Sequence, residues 1–504
     1  STSMRADRHP RRAPIRAALL VGLAVLLAAC TQPAPPPPTQ SPTASPTPRM
    51  FTLATTGAVT TADPAVARSY TDSLVVNSIY QRLMMVLPET GELKPDAATD
   101  CLFTSKLVYE CTLPDQLFFH NGHVLDSSDV KFSIQRALRI DTPDTSIGLL
   151  SALKRIDTPD AHTVRFELSW PDNQFGYALA GQAASIVDEE AFDPDSALPL
   201  ETLPIGSGPY EVQTITPGEV TVKKFEKYVG PKAGLLDALK VEIVADSVAA
   251  ETAIADGTAD AVWRSLDNAA LQRVTDEIDG SADSVTAKGF RRFPMPGMRV
   301  TQLVWNQDSK LRDNTKLRAG VERALQPDRT LDSIVPVGVA DHAKSFLLGG
   351  RPKLPSLDGN RIHMTLGYLP TAPGHADLAS LIRDRIESLG GVSVRLVTGG
   401  SADLWLTDSP AWVNNATGWL QRYLEHPLAG SRAKLELLET RARTTSGTAR
   451  TAALTELQQQ AAADATVLPV SQGNGVLFLA RGVDLVGEAF GSGQMLGLWG
   501  FTRA

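Results

Sequence analysis

Between Thr31 and Arg49 the chain reads TQPAPPPPTQSPTASPTPR, a stretch holding eight of its 34 prolines and almost nothing that could pack. Proline fixes φ and removes a backbone donor, so this stretch cannot enter a helix interior or a central strand. It is expected to run as an extended polyproline-type tether of about 3.1 Å per residue, reaching up to roughly 60 Å. Its position divides the 504-residue chain into a short leader and a long body that must hold the hydrophobic core.

The leader has a basic start (Arg5, Arg8, Arg11, Arg12, Arg16) followed by the apolar run Ala17 to Ala29. As a helix that run would span about 20 Å, short of a ~30 Å hydrocarbon core, so it fits a signal-peptide core better than a membrane span. It ends in Leu27-Ala28-Ala29-Cys30, which resembles the bacterial lipobox, where the cysteine is lipidated and becomes the first residue. An ordinary signal peptide that happens to contain a cysteine is the other reading. The lipobox reading makes 1–29 a lipoprotein signal peptide and 30–49 a lipidated Cys30 with its tether. It puts the body on the outer face of the cell membrane of a bacterial envelope.

Two cysteines remain, Cys101 and Cys111, with LFTSKLVYE between them. This reads as a β-hairpin turning near Ser105-Lys106, and equal spacing sets the cysteines opposite each other. An oxidising compartment would pair them in a disulfide; two buried free thiols are the alternative. The composition, 43% hydrophobic and 21% charged, excludes a wholly disordered chain, a collagen-like fibre and a disulfide-dense miniprotein. The balance of 48 basic against 56 acidic residues argues against nucleic acid as a partner.

From Phe51 onward short strands alternate with helices, without tandem repeats. Strands are expected at Phe51 to Thr55, Val164 to Leu168, Val220 to Phe225, Leu239 to Val244, Ile362 to Leu366, Val392 to Val397, Leu404 to Leu406 and Val476 to Leu479. Helical spacing marks Thr71 to Leu87, through Leu74, Val75, Ile79, Leu83 and Val86, and also Ala376 to Leu389 and Ala453 to Ala463. Asn121-Gly122 signals a turn, and Asp126-Ser127-Ser128-Asp129 offers N-cap chemistry to the helix VKFSIQRAL. The fold class is mixed α/β (α+β). His120-Asn121-Gly122-His123 has a metal-pair spacing but no further ligand nearby in sequence, so an exposed turn and no metal are expected. No HExxH, GxSxG, Walker A or GxGxxG pattern occurs, and neither an enzyme nor a cofactor is expected.

A series of motifs in order gives the body a resemblance. Asp63-Pro64 follows the first strand; Tyr80-Gln81-Arg82-Leu83 precedes Gly91-Glu92-Leu93; Phe119-His120-Asn121-Gly122 leads into Ser127-Ser128-Asp129-Val130. Gly206-Ser207-Gly208-Pro209-Tyr210, then Ala255 to Asp260, then Val304-Trp305-Asn306 with Lys316-Leu317-Arg318 and Ala324-Leu325 follow, and Leu468-Pro469-Val470 comes last. Over roughly 50–490 the chain resembles the family 5 extracellular solute-binding proteins of ABC transporters, the peptide- and nickel-binding lipoproteins. The resemblance implies a two-lobed periplasmic-binding-protein-like fold, the larger variant with an extra N-terminal subdomain. It implies lobe I from 50–88, 205–265 and 470–504, an accessory subdomain from 89–204, and a smaller lobe II from 266–469. It further implies a monomeric receptor that captures a peptide or other small solute between the lobes and hands it to the permease and ATPase subunits of an importer. The alternative is a fold retained by a non-transport interaction or scaffold lipoprotein.

In this family a bound peptide adds a strand between the lobes. One edge here falls around Ala67-Arg68-Ser69-Tyr70. The other is a Gly-Trp-x-x-Asp segment whose aspartate meets the ligand ammonium. Asp403 to Trp412 aligns with that segment, but Ser409 stands on the tryptophan and Trp412 on the aspartate. Asp408 is open to two readings, a replacement ammonium partner or a solvated strand-end carboxylate. Trp405, Trp412 and Trp419 line a pocket or belong to the core. The ligand-binding residues the resemblance implies are Arg68, Ser69, Tyr70, Trp405, Asp408, Ser409 and Trp412.

Overall fold

The strand Phe51–Thr55 is buried along its whole length. Phe51 and Leu53 pack into one apolar cluster and Ala54 into another, as expected of a strand covered on both faces. It pairs in parallel with Ala238–Ile243 on one side and Ala261–Trp263 on the other. Antiparallel strands extend this sheet to seven, ending at Tyr210–Thr216 and at Arg291–Arg292. The computed structural model describes residues 49–486, 490 and 495–504. The expected signal peptide, Cys30 and, apart from Arg49, the tether lie outside the described residues.

A five-stranded sheet organises the second half, in the order Val392–Val397, Ile362–Gly367, Leu404–Thr407, Arg299–Trp305, Val467–Gly473. Helix His375–Glu387 makes the crossover between the parallel strands Ile362–Gly367 and Val392–Val397. Its core gathers Leu303, Trp305, Leu366, Leu404, Leu406, Trp419 and Leu420. A four-stranded antiparallel sheet, with helix Ser127–Ile140 against it, forms a third core. In this sheet Asp100–Ser105 and Val108–Thr112 form the cysteine hairpin; Cys101 faces Cys111 in register, and a disulfide joins them.

Local chemistry explains the elements. Asp126 caps helix Ser127–Ile140, and Asp129 returns the bond in a capping box. Ser69 caps helix Tyr70–Ile79 by accepting the Asp72 N–H. That helix is shorter than its apolar spacing predicts. It stops at Ile79, and Met84–Val86 is a buried strand paired with Leu93–Pro95. The Gly206-Ser207-Gly208 turn lies directly on the helix end: Gly208 N–H donates to the Ile79 carbonyl, and a Cβ at Gly206 would stand 1.9 Å from that oxygen. Only glycine allows this approach. The Asp63 of the Asp-Pro motif is buried, salt-bridged to Arg136 with contacts of 2.9 and 2.5 Å.

Among the described residues the chain passes between the two large sheets twice. Residues 293–298 join Arg291–Arg292 to Arg299–Trp305, and 474–476 join Val467–Gly473 to Leu477–Leu479. The segments lie side by side, with Gly475 N–H donating to Met295 O at 2.9 Å and Gln472 Nε2 to Gly297 O at 3.2 Å. The boundary expected at 266 therefore falls too early. Helix Asn268–Asp279 packs through Ala270, Val274 and Ile278 with Ala54 and Phe478 of the first half, and Arg291–Arg292 belongs to its sheet.

Candidate functional site

Parallel strands present their C-terminal ends at one edge of a sheet, where the departing loops form a crevice. Here Phe51–Thr55 and Ala261–Trp263 do so from one sheet, Ile362–Gly367 and Leu404–Thr407 from the other. The residues just beyond them (Thr56 and Gly57, Arg264, Leu369 and Thr371, Asp408 and Ser409) line a single cavity of about 670 Å³. Arg68 to Asp72, at the start of helix Tyr70–Ile79, and Asp144, Trp305, Trp405, Arg422 and Glu425 are also part of its wall. The volume lies within the roughly 300–1,000 Å³ usual for small-solute sites.

Beside the crossing segments the two halves touch through a polar cluster. Asp408, 4% exposed, receives Arg264 Nη2 on Oδ1 at 2.5 Å and Arg299 Nε on Oδ2 at 3.1 Å. Tyr70 donates its hydroxyl to the Asp408 carbonyl at 2.5 Å, and the Arg264 guanidinium lies 3.9 Å from the centre of the Tyr70 ring. Burial would push the Asp408 carboxyl up, but Arg264 and then Arg299 outweigh it and hold the pKa at about 2. Burial, with Asp408 adding to it, pushes the Tyr70 phenol upward, so it stays a proton donor. Arg264 adopts φ 50°, a left-handed backbone uncommon outside glycine and concentrated at functional sites.

The sequence-derived residues are placed as follows. Arg68 lines the cavity, donates Nη1 to the Pro143 carbonyl at 3.3 Å, and has no ion pair among the described residues. The Ser69 hydroxyl is taken up by capping. The half-buried Trp405 faces the cavity, seated on Gly367, where a Cβ would meet the indole at 2.5 Å. Ser409 Oγ pairs with Thr407 Oγ1 at 2.7 Å. Trp412 lies outside the main cavity, against the third core, with Arg422 5.3 Å from its ring centre. Trp419 is core, its Nε1 donating to Asn414. Of the two readings of Asp408, the solvated strand-end carboxylate does not hold: the carboxylate is buried between two arginines. Sequence reasoning missed Arg264, Arg299, Arg422 and Glu425, because nothing local marks an arginine after one strand as the partner of an aspartate 144 residues later.

The two histidines of the 120–123 turn separate. His120 Nε2 meets the Gly208 carbonyl at 3.1 Å, and burial pulls its pKa down to about 4. His123 Nδ1 lies 2.7 Å from Asp188 and 3.0 Å from Glu190, forming with them a group of three potential cation ligands at the surface.

The family described as bacterial extracellular solute-binding proteins, family 5 Middle, matches residues 92–360. The chain belongs to this family. Among curated proteins, it is 30% identical over 183 residues to the HTH-type transcriptional regulator SgrR of Salmonella choleraesuis, and 27% over 184 residues to that of Pectobacterium atrosepticum. These matches cover 36% of this chain, and the chain spans 31% of each relative's length. Among solved structures it resembles the periplasmic binding protein DppA of Helicobacter pylori in complex with peptide STSA (TM-score 0.74, 17% identity, 90% of this chain and 98% of that one). It also resembles AgaA of A. tumefacien R10 in complex with agropinic acid (TM-score 0.73, 18% identity, 90% and 98%). This family-5 member therefore has the two-lobed periplasmic-binding-protein fold, the seven-stranded sheet centring one lobe and the five-stranded sheet the other.

Proposed function

We propose that this chain is a lipid-anchored extracytoplasmic receptor that captures a peptide or peptide-like solute between its lobes and delivers it to an ABC importer. One observation carries the reading: a cavity of about 670 Å³ is walled by the strand ends of two lobes that, among the described residues, two short segments connect. Such a connection allows hinge closure around a solute. Structures of this fold hold a peptide in DppA and agropinic acid in AgaA, which supports a small polar solute. The Tyr70–Asp408 contact bridges the two segments that the resemblance assigns to the ligand main chain, so the solute is short. The anchor is Cys30, behind the proline-rich tether, and Cys30→Ala should release the protein from the membrane fraction.

The test is a thermal-shift screen of the protein against pools of di- and tripeptides and other nutrients, paired with native mass spectrometry of protein from its own host. A ligand at 100 times its Kd should stabilise it by about 2.7 kcal/mol. No shift with any pool and no co-purified solute would remove the receptor reading. The same Tyr70–Asp408 contact favours a second reading, a fold kept as an interaction or scaffold lipoprotein without solute capture.

A further inference from the structure

Four carboxylates line the cavity, and their partners differ. Asp72 is consumed by the loop before its helix, accepting from the Thr60 N–H at 2.8 Å and from the Thr60 hydroxyl. Asp408 is neutralised by Arg264 and Arg299. Asp144 accepts from Arg422 Nε at 3.3 Å. Glu425 has no ion pair among the described residues. Gln421 Nε2 donates to its Oε1 at 3.1 Å, and Oε2 has no hydrogen-bond partner there.

We infer that Glu425, with Asp144 beside it, holds the cationic end of the solute, and that Asp408 does not. This rests on the reading of the cavity as the solute site. Glu425 is the last residue of helix Ala416–Glu425, where the unpaired carbonyls add partial negative charge and favour a bound cation. Its Oε1 lies where a Cβ on Gly148 would be only 2.1 Å away, so that glycine makes room for the carboxylate. Burial pushes the Glu425 carboxyl upward, and Asp144 and Asp141 add to this; the Gln421 hydrogen bond and the nearby Arg422, which is itself bonded to Asp144, offset it only in part. The adjoining His426 supplies no counter-charge, since burial and then Arg312 pull its pKa down.

Two more groups of the same wall have bonding capacity left over among the described residues. Arg68 bonds only to the Pro143 carbonyl, next to Asp144. Trp305, 3% exposed, lines the cavity with no acceptor for its indole Nε1. Buried donors are seldom left unpaired, so this one independently points to an acceptor that arrives with the solute. A carboxylate without an ion pair, a guanidinium without a carboxylate partner and an orphan donor in one cavity match a short zwitterion bearing a primary ammonium.

The test uses a pool of free di- and tripeptides and the same pool N-acetylated, each offered to the wild type, Glu425→Gln and Glu425→Asp, with capture read by native mass spectrometry. Wild type should take the free pool at least tenfold better than the acetylated one, the effect of a charge-assisted bond. Glu425→Gln should lose that preference and Glu425→Asp keep it; the preference is a ratio that a general folding defect would not move. Equal capture of both pools by wild type, or an unchanged preference in Glu425→Gln, overturns the role of Glu425 while leaving solute capture standing. Capture of neither pool by wild type overturns the peptide reading itself and this inference with it.

Discussion

Replacing Asp408 by asparagine separates the two roles this carboxylate could have. A ligand's ammonium partner costs little stability when removed from the empty protein. A buried counter-ion to two arginines costs much, because the arginines are left desolvated and unpaired. Removing one partner of a buried pair costs about 3–5 kcal/mol. Arg264 and Arg299 keep 12% and 22% of their side-chain exposure, which lets water recover part of that, so about 2–3 kcal/mol is expected here. The pH dependence supplies a second measure. With its pKa near 2 in the fold against an ordinary 3.8, the ionised Asp408 contributes about 2.5 kcal/mol. The sign is that of a depressed acid: the contribution is fully present above pH 3.8 and is lost as pH falls toward 2. Urea unfolding of wild type and Asp408→Asn at several pH values should therefore show the variant less stable at pH 7 and the gap closing below pH 4. Equal midpoints at pH 7, or a gap that persists unchanged at pH 2, would refute the assignment of Asp408 as a lobe-bridging counter-ion.

Three further outcomes can be measured. Gly367→Ala should push the Trp405 indole off its seat, since the added Cβ would fall 2.5 Å from the ring; solute affinity should drop severalfold while the unfolding midpoint moves little. Arg443 of helix Arg432–Thr444 meets Asp172 at 2.7 Å with both side chains buried, so Arg443→Met should cost about 3–5 kcal/mol in urea unfolding, and Asp172→Leu added to it should recover much of that loss. Cys101→Ser with Cys111→Ser opens a loop of ten-residue separation, for which chain entropy predicts a loss of about 2.5 kcal/mol, read as faster hydrogen exchange in the four-stranded sheet.

What the sequence displayed, and what it hid, follows from the range of the interactions. The Asp126 capping box, the Asn121-Gly122 turn and the facing cysteines close over a few residues, so their chemistry is visible in a short window. Past the end of helix Tyr70–Ile79, Leu83 and Val86 continue its helical spacing by coincidence. The glycine turn at 206–208, which stops the helix, lies far along the chain. The cleft shows the same limit. The family resemblance marks segments 67–70 and 403–412, but which carboxylate serves the solute depends on what stands opposite each one. Asp408 looked available as a strand-end acid, and two distant arginines consume it. Glu425 is marked by no motif, and it is the cavity carboxylate without an ion pair among the described residues. A charge acquires its role from its partners, and those of Asp408, Arg264 and Arg299, lie on other elements.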